Sequence, residues 1–162
     1  MPDYGFGQPQ GGLIQTAYVV RDLDAALSHW TGNLKAGPFF LIRGWRGDHP
    51  VYRGRPSTAT VDIALGFAGH MQIELICPKD DEPSVYKETI DRVGYGFHHS
   101  GLASHDIEAD IERFQGRGFE LAFRAGVPTG GDVAYMDGGP QLPGMVELIE
   151  ATTGMDEAFT MM

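Results

Sequence analysis

Short stretches of hydrophobic and β-branched residues alternate with segments containing glycine and proline along the whole chain. This pattern predicts β-strands over residues 12–20, 37–43, 58–67, 70–77, 97–104, 119–125, 131–137 and 144–150. Two other segments, 22–30 and 106–114, repeat apolar residues at the spacing of an α-helix. Asp22 and Asp106 stand at their starts as predicted N-caps. The chain therefore predicts a mixed α+β fold built from many short elements.

The two predicted helices belong to a longer internal repeat. Gln15–Ala25 aligns with His99–Ala109, so that a strand, an N-cap and a helix face follow in the same order. A second match aligns Ile73–Ile76 with Val146–Ile149 near the end of each half. Because internal repeats of this kind reflect repeated structural units, each half predicts a βαβββ module.

The repeat defines the predicted domain organisation. We expect a first βαβββ module over residues 12–77, a linker over 78–95 with a short helix around 83–92, and a second module over 96–151. The two tandem modules are expected to form one compact domain, with a curved mixed sheet around a cavity.

Four polar residues stand at repeat-equivalent positions of the predicted strands: Gln15, Glu74, His99 and Glu147. If pseudo-twofold symmetry relates the halves, these side chains converge on the concave face of the sheet. Two carboxylates, an imidazole and an amide oxygen suit one divalent ion, which could be Zn, Ni, Co, Mn or Fe. Taken singly, each glutamate is better explained as a half-exposed strand residue and Gln15 as a surface amide, but four such residues at repeat-equivalent positions favour a metal site.

The same segments carry a family resemblance. Gln15–Ala26, Ile73–Ile76, Phe97–His99 and Pro143–Ile149 resemble the vicinal oxygen chelate superfamily, which includes glyoxalase I, methylmalonyl-CoA epimerase and the bleomycin-resistance proteins. The resemblance implies paired βαβββ modules that enclose a metal, with one ligand at the start of each first strand and one on each last strand. Those places are occupied here by the four polar residues.

The resemblance also implies a reaction. Members of this type abstract a proton next to a carbonyl and stabilise the resulting enediolate with the metal. Glu147 is the expected general base, with Glu74 as the symmetric alternative. His99 would be the sole imidazole ligand, and the adjacent His98 is expected on the opposite face of the strand. The implied activity is that of a glyoxalase-like or epimerase-like isomerase or lyase.

The ligand types separate branches of the superfamily. Extradiol dioxygenases use two histidines and one carboxylate, so Gln15 disfavours that branch. Epimerases use a further glutamate in the first half, whereas Asp48, His49 and Tyr52 are the nearest candidates here. The alternative to an enzyme is a non-catalytic small-molecule binding or resistance protein of the same fold, although such proteins generally lack a full ligand set.

The first half contains extra residues, which we assign to a loop over Arg43–Pro56. Its basic and aromatic residues, with one aromatic residue just before it, are the predicted substrate-binding groups: Phe39, Arg43, Trp45, Arg46, Tyr52, Arg53 and Arg55. The arginines would bind an anionic substrate or the phosphates of a thioester. A solvated loop that offsets local acidic charge is an equally good interpretation.

Composition limits the partners. The 162 residues carry a formal net charge of −10, which disfavours binding to nucleic acid or to an anionic membrane. The single cysteine, Cys77, excludes an internal disulfide, and no apolar run is long enough to span a bilayer. We therefore expect a cytoplasmic protein with a small-molecule substrate, ending in a tail at Met161 and Met162. Dimerisation is common in the family, so a homodimer is a further expectation.

Overall fold

The computed structural model describes residues 2–162. The helices are α1 (Leu23–Gly32), α2 (Val85–Val93), α3 (Ile107–Gln115) and α4 (Thr153–Met161). The strands are β1 (Leu13–Val19), β2 (Phe39–Trp45), β3 (Asp48–Tyr52), β4 (Arg55–Pro56), β5 (Val61–Ala68), β6 (Met71–Pro78), β7 (Gly96–Ser104), β8 (Glu120–Gly126), β9 (Asp132–Asp137) and β10 (Met145–Glu150). Each predicted strand and helix is confirmed to within a few residues. None of the helices among the described residues is long and apolar enough to cross a membrane.

All strands form one curled mixed sheet in the order β2-β5-β6-β1-β7-β10-β9-β8-β3-β4. Each half pairs its first and last strands in parallel, β1 with β6 and β7 with β10. The two first strands, β1 and β7, run antiparallel at the centre of the sheet. This arrangement confirms the predicted α+β fold, in which two related sets of strands share one sheet.

The register of the strands places the predicted ligands on one face. Ala17 is the partner of Glu74 in the first half, and Gly101 is the partner of Glu147 in the second. The predicted ligands of the first strands lie two residues before these small partners. Because side chains alternate between the faces of a strand, they share a face with the glutamates.

Helices α1 and α3 cover the outer surface of the sheet, whereas α2 and α4 contribute side chains to the inside of its curve. Ile107, Ile111 and Phe114 of α3 pack against β9 and β10, and Leu23 of α1 packs against β5 and β6. A separate apolar cluster fills the inside of the curve and includes residues from both halves. The inside of the curve, where side chains of both halves meet, is therefore the side on which a site can form.

The prediction of a loop over Arg43–Pro56 is wrong, because this segment contains the end of β2 and both strands β3 and β4. β3 pairs with β8, so an insertion of the first half extends the sheet of the second. Only Arg46 and Gly47 separate β2 from β3, which brings the two ends of the sheet within about 11 Å of each other. The division at 12–77, 78–95 and 96–151 stays a prediction, and this pairing crosses it.

The prediction of a C-terminal tail is also wrong, because Met161 is the last residue of α4. The Thr152 hydroxyl accepts a hydrogen bond from the Met155 backbone N–H and caps this helix. Met155 and Phe159, one turn apart, are buried. The Phe159 ring contacts Phe6 of the N-terminal segment, with ring centroids 5.7 Å apart. The two chain ends thus close one end of the concave face.

Candidate metal centre

Three side-chain oxygens converge on one ring nitrogen of His99. Its Nε2 atom lies 2.9 Å from Gln15 Oε1, 3.1 Å from Glu147 Oε2 and 3.3 Å from Glu74 Oε2. All four residues are buried. One imidazole nitrogen can donate only one hydrogen, so it cannot satisfy three oxygen acceptors at once. The arrangement is better suited to a cation shared by all four groups.

The buried carboxylate of Glu74 supports this fit. Its Oε2 atom is shielded from solvent and has no hydrogen-bond partner among the described residues. A buried carboxylate oxygen without a partner is costly unless a cation compensates it. Ligand atoms of Glu74, His99 and Glu147 all lie within 4.8 Å of one another, close enough to bind a single ion. The donor set therefore fits a divalent metal.

Neighbouring residues hold Gln15 in the orientation that a ligand needs. Its Nε2 donates to Gln72 Oε1 at 2.8 Å, which turns the Gln15 amide oxygen towards His99. A Cβ atom at Gly101 would lie 2.8 Å from Gln15 Cβ and 2.9 Å from Gln15 Oε1. Glycine is therefore required at this position for the amide to fit. Gln72 lies two residues before Glu74 on β6, so strand alternation could have identified it.

A β-bulge changes the position of His98. In the pairing of β7 with β1, His99 is opposite Ala17 and Phe97 is opposite the next residue, Tyr18, which leaves His98 as the extra residue. The bulge brings the His98 ring beside the His99 ring, with their Nδ1 atoms 2.8 Å apart. The expectation that His98 points away from His99 is wrong for this reason.

His98 connects His99 to the backbone of α2. Its Nε2 lies 3.2 Å from the Val85 carbonyl oxygen, which can only accept, so Nε2 carries the hydrogen. Burial, together with the nearby His99, lowers the pKa of His98 to about 3, so that the ring is neutral at pH 7. Its bare Nδ1 then accepts from His99 Nδ1–H. This chain leaves Nε2 of a neutral His99 ring as a lone pair directed at the cluster.

Two opposing effects set the pKa of His99. Burial lowers it, but the charge and hydrogen bond of Glu147 and the charge of Glu74 outweigh burial and raise the pKa to about 9. Burial raises the pKa of Glu74 itself. In the metal-free protein a proton on His99 therefore compensates the carboxylates. A metal ion that binds here must displace that proton.

A partly open cavity of about 100 Å³ lies next to the cluster of these four side chains. Its polar lining consists of Gln15, Glu74, Thr129, Tyr135 and Glu147. The other walls are apolar and come from both halves and from α4: Ile42, Trp45, Ile63, Leu65, Val127, Pro128, Val133, Ile149 and Phe159. A small molecule in this cavity would contact the predicted ligands directly.

The sequence model of the Glyoxalase/Bleomycin resistance protein/Dioxygenase superfamily matches residues 14–135. The chain belongs to this superfamily. A comparison with curated proteins gives no match.

Solved structures of the superfamily fold are similar to this chain at low sequence identity. A hypothetical protein of Bacillus halodurans C-125 is 21% identical with a TM-score of 0.64, over 87% of this chain and 94% of its own. Methylmalonyl-CoA epimerase from Mycobacterium tuberculosis is 19% identical with a TM-score of 0.63, over 90% and 91%. A variant of the Streptomyces coelicolor methylmalonyl-CoA epimerase, in complex with 2-nitronate-propionyl-CoA, is 14% identical with a TM-score of 0.63, over 90% and 97%. These likenesses show the fold.

Within this superfamily fold, three of the predicted substrate-binding residues lie at or near the cavity. Trp45 lines its wall. Arg43 and Arg46 line a shallow groove that shares Ile42 and Trp45 with the cavity and so continues from its mouth. The Arg43 guanidinium forms an ion pair with Asp62 at 2.9 Å.

The structure places the other predicted substrate-binding residues elsewhere. Phe39 packs in the outer apolar cluster beneath α1. Tyr52 donates a hydrogen bond to Glu88 Oε2 at 2.6 Å. Arg55 lies on β4 beside a separate surface groove. None of these three side chains lines the cavity next to the metal cluster.

Arg53 binds carboxylates of the protein itself. Its guanidinium forms ion pairs with Glu88 at 2.6 Å, Asp137 at 2.6 Å and Glu120 at 2.9 Å. Burial would lower the pKa of Arg53, but Glu88 and Asp137 outweigh it and raise the pKa. These contacts fasten the insertion to α2, β8 and β9, which is a structural role.

Proposed function

We propose that this protein is a metal-dependent isomerase or lyase of the glyoxalase and epimerase type. It would abstract a proton α to the carbonyl of a small organic substrate. Gln15, Glu74, His99 and Glu147 would hold one divalent ion, which could be Zn, Ni, Co, Mn or Fe. When bound, the ion supplies Lewis-acid polarisation of the substrate carbonyl.

The convergence of three buried oxygens on His99 Nε2 is the observation that carries the proposal. Membership of a superfamily that includes glyoxalases supports the reaction type. The adjacent cavity supports it as well, because Glu74 and Glu147 both line the space that a substrate would occupy. A carboxylate at the surface of a largely apolar cavity is suited to accept a proton from carbon.

Glu147 is the proposed general base. The α C–H bond breaks, the proton passes to Glu147 Oε2, and the electron pair moves towards the substrate carbonyl oxygen. Delivery of a proton by Glu74 to the opposite face of the same carbon, or return of the proton from Glu147 to the neighbouring carbon, completes an isomerisation. Glu74 is the alternative base on the symmetric strand. Asp48, His49 and Tyr52 do not line the cavity, so a two-base reaction would need both glutamates.

Thioesters are candidate substrates, because a methylmalonyl-CoA epimerase of similar fold is known in complex with a coenzyme A derivative. An anionic group of such a substrate would have Arg43 and Arg46 beside the mouth of the cavity. The homodimer and the cytoplasmic location remain predictions.

A small-molecule binding or resistance protein is the second candidate, favoured by the largely apolar walls of the cavity. Metal analysis of the purified protein separates the two candidates. About one divalent ion per chain supports the enzyme, since the four ligands form a single site. A chain that binds no divalent ion, even when purified with added metal, supports the binding protein.

Exchange of substrate protons into deuterated water, followed by NMR, tests the base. Glu147→Gln should keep a bound metal but lose about 10²–10⁴-fold in exchange rate, the usual contribution of a general base. Glu74→Gln is the matched variant from the other half. Unchanged exchange in Glu147→Gln, with a large loss in Glu74→Gln, would transfer the role of base to Glu74.

A further inference from the structure

The cavity beside the metal cluster contains no basic side chain. Arginine and lysine are absent from its lining among the described residues, and the only carboxylates are Glu74 and Glu147. These two acids are also proposed metal ligands. The cavity therefore combines one compact polar end with long apolar walls.

The charges at the polar end balance without a substrate. A divalent ion carries two positive charges, and the two glutamates carry two negative charges, while Gln15 and a neutral His99 add none. No excess positive charge is left to compensate an ionised group of a ligand. Burial of an ionised carboxylate or phosphate against the apolar walls would be costly without a partner.

Basic residues lie outside the cavity, in the groove at its mouth. Arg43 is held there by Asp62, which also lies 3.3 Å from Lys79 Nζ. Arg46 is exposed at the rim of this groove. Among the residues that line the cavity and this groove, Arg43 and Arg46 are the only cations, and Asp48 lines the groove as well. The walls of Ile42, Trp45 and Val127 lie between these cations and the predicted metal ligands.

We propose that the reacting part of the substrate is an uncharged carbonyl compound with an apolar substituent, such as an aryl or branched-alkyl hydroxyketone. Any anionic group remains outside the cavity in the groove of Arg43 and Arg46. This inference rests on the proposed function for the metal and the reaction, and it adds the chemical class of the substrate. It excludes a substrate with a carboxylate next to the apolar walls.

Two matched probes test the proposal. The para-carboxamide of phenacyl alcohol is an uncharged hydroxyketone, and the para-carboxylate has nearly the same size and shape but carries one negative charge at the far end of the ring. Binding to the zinc-loaded protein is measured by calorimetry. We expect the uncharged probe to bind at least about tenfold more tightly, because the carboxylate must be desolvated against apolar walls.

Val127 provides matched variants, since it is half-buried and lines both the cavity and the groove. Val127→Lys adds a flexible cation at the mouth and should narrow the difference between the probes. Val127→Leu keeps the wall apolar and should preserve the difference. Equal or tighter binding of the carboxylate probe by the unchanged protein and by Val127→Leu would overturn the proposal.

The same samples show whether a negative result counts against the proposed function or against the proposed substrate class. The methylene protons beside the carbonyl of each probe are followed by NMR in deuterated water. Preferential binding of the uncharged probe without any exchange would support the substrate class but contradict the proposed catalysis. Exchange of the carboxylate probe that is as fast as that of the uncharged probe would support catalysis and contradict the substrate class.

Discussion

His98 is expected to control metal affinity without being a ligand, and His98→Phe is the change that tests it. Phenylalanine keeps an aromatic ring where the His98 ring now packs on Tyr86 and Tyr135, at centroid distances of 5.1 and 5.6 Å. It removes both ring nitrogens. We expect the affinity for Zn²⁺ to fall about 10–100-fold, or about 1.4–2.8 kcal/mol, as for other groups that orient a metal-binding histidine.

The hydrogen bonds that His98→Phe would remove correspond to a loss of free energy of the same order. The Val85 carbonyl keeps a bond from the Thr89 hydroxyl at 3.0 Å, so it is not left without a donor. His99 Nδ1–H, by contrast, loses the acceptor that lies 2.8 Å away in a fully buried site. An unsatisfied buried donor costs about 1–3 kcal/mol. The His99 ring would also be free to place its hydrogen on Nε2, which blocks the lone pair that the metal needs.

Competition of the protein with a chelator for Zn²⁺ measures the affinity, and a thermal melt of the metal-free protein shows whether the variant is folded. Tyr86→Phe is the matched control. It removes a buried hydroxyl 3.4 Å from the Tyr135 hydroxyl but leaves the bonds of His98 in place. It should therefore bind Zn²⁺ like the unchanged protein. A folded His98→Phe variant with unchanged Zn²⁺ affinity would refute the role of His98.

Three further predictions concern the same region and its support. Gly101→Ala should lower the free energy of unfolding by about 1–3 kcal/mol and also lower Zn²⁺ affinity, because the new methyl group displaces the Gln15 amide. Denaturant unfolding and chelator competition measure these two effects, and wild-type values for both would contradict the tight fit. Arg53→Gln should destabilise the protein by about 1.5–3 kcal/mol, because it loses the charged hydrogen bonds of Arg53. The denaturation midpoint should therefore fall, and an unchanged midpoint would show that these ion pairs do not stabilise the fold. Zn²⁺ affinity should rise by up to about tenfold per pH unit below pH 9 and level off above it, because binding must displace the proton that His99 retains up to a pKa of about 9. Calorimetry at several pH values checks this slope, and a flat profile would show that no proton is released.

The parts of the fold that the sequence predicted follow from local pattern combined with the repeat. Leu23 and Ile107 begin the predicted helices and pack on the outer face, as the spacing of apolar residues requires. The predicted ligands converge because the two halves have equivalent registers, with Ala17 opposite Glu74 in one and Gly101 opposite Glu147 in the other. A repeat carries this long-range information because it relates positions far apart in sequence to one symmetric structure.

The insertion and α4 show where local pattern is insufficient. The strand β3 is mostly exposed, so its residues do not alternate between a buried and a solvated face. Its partner β8 belongs to the other half, and the repeat contains no second strand pair that is equivalent to β3 with β8. The helix α4 also lies outside the repeat, although its cap at Thr152 and its apolar residues Met155 and Phe159 are readable signals of a helix. The pattern of the repeat does not predict either element, because both are additions to the two equivalent halves.

The bulge at His98 explains why the orientation of the site is harder to predict than its composition. Strict alternation along β7 places His98 and His99 on opposite faces, and this rule fails at a single residue of the pairing with β1. A one-residue shift is decided by the register against a neighbouring strand, which no pattern within β7 encodes. Its consequence is a buried hydrogen bond between the two rings, and the second ring nitrogen of His98 then binds the start of α2 through Val85. The linker helix, which the repeat leaves unexplained, is thereby connected to the candidate metal centre, because a change in α2 that moves the Val85 carbonyl would act on His99 through His98.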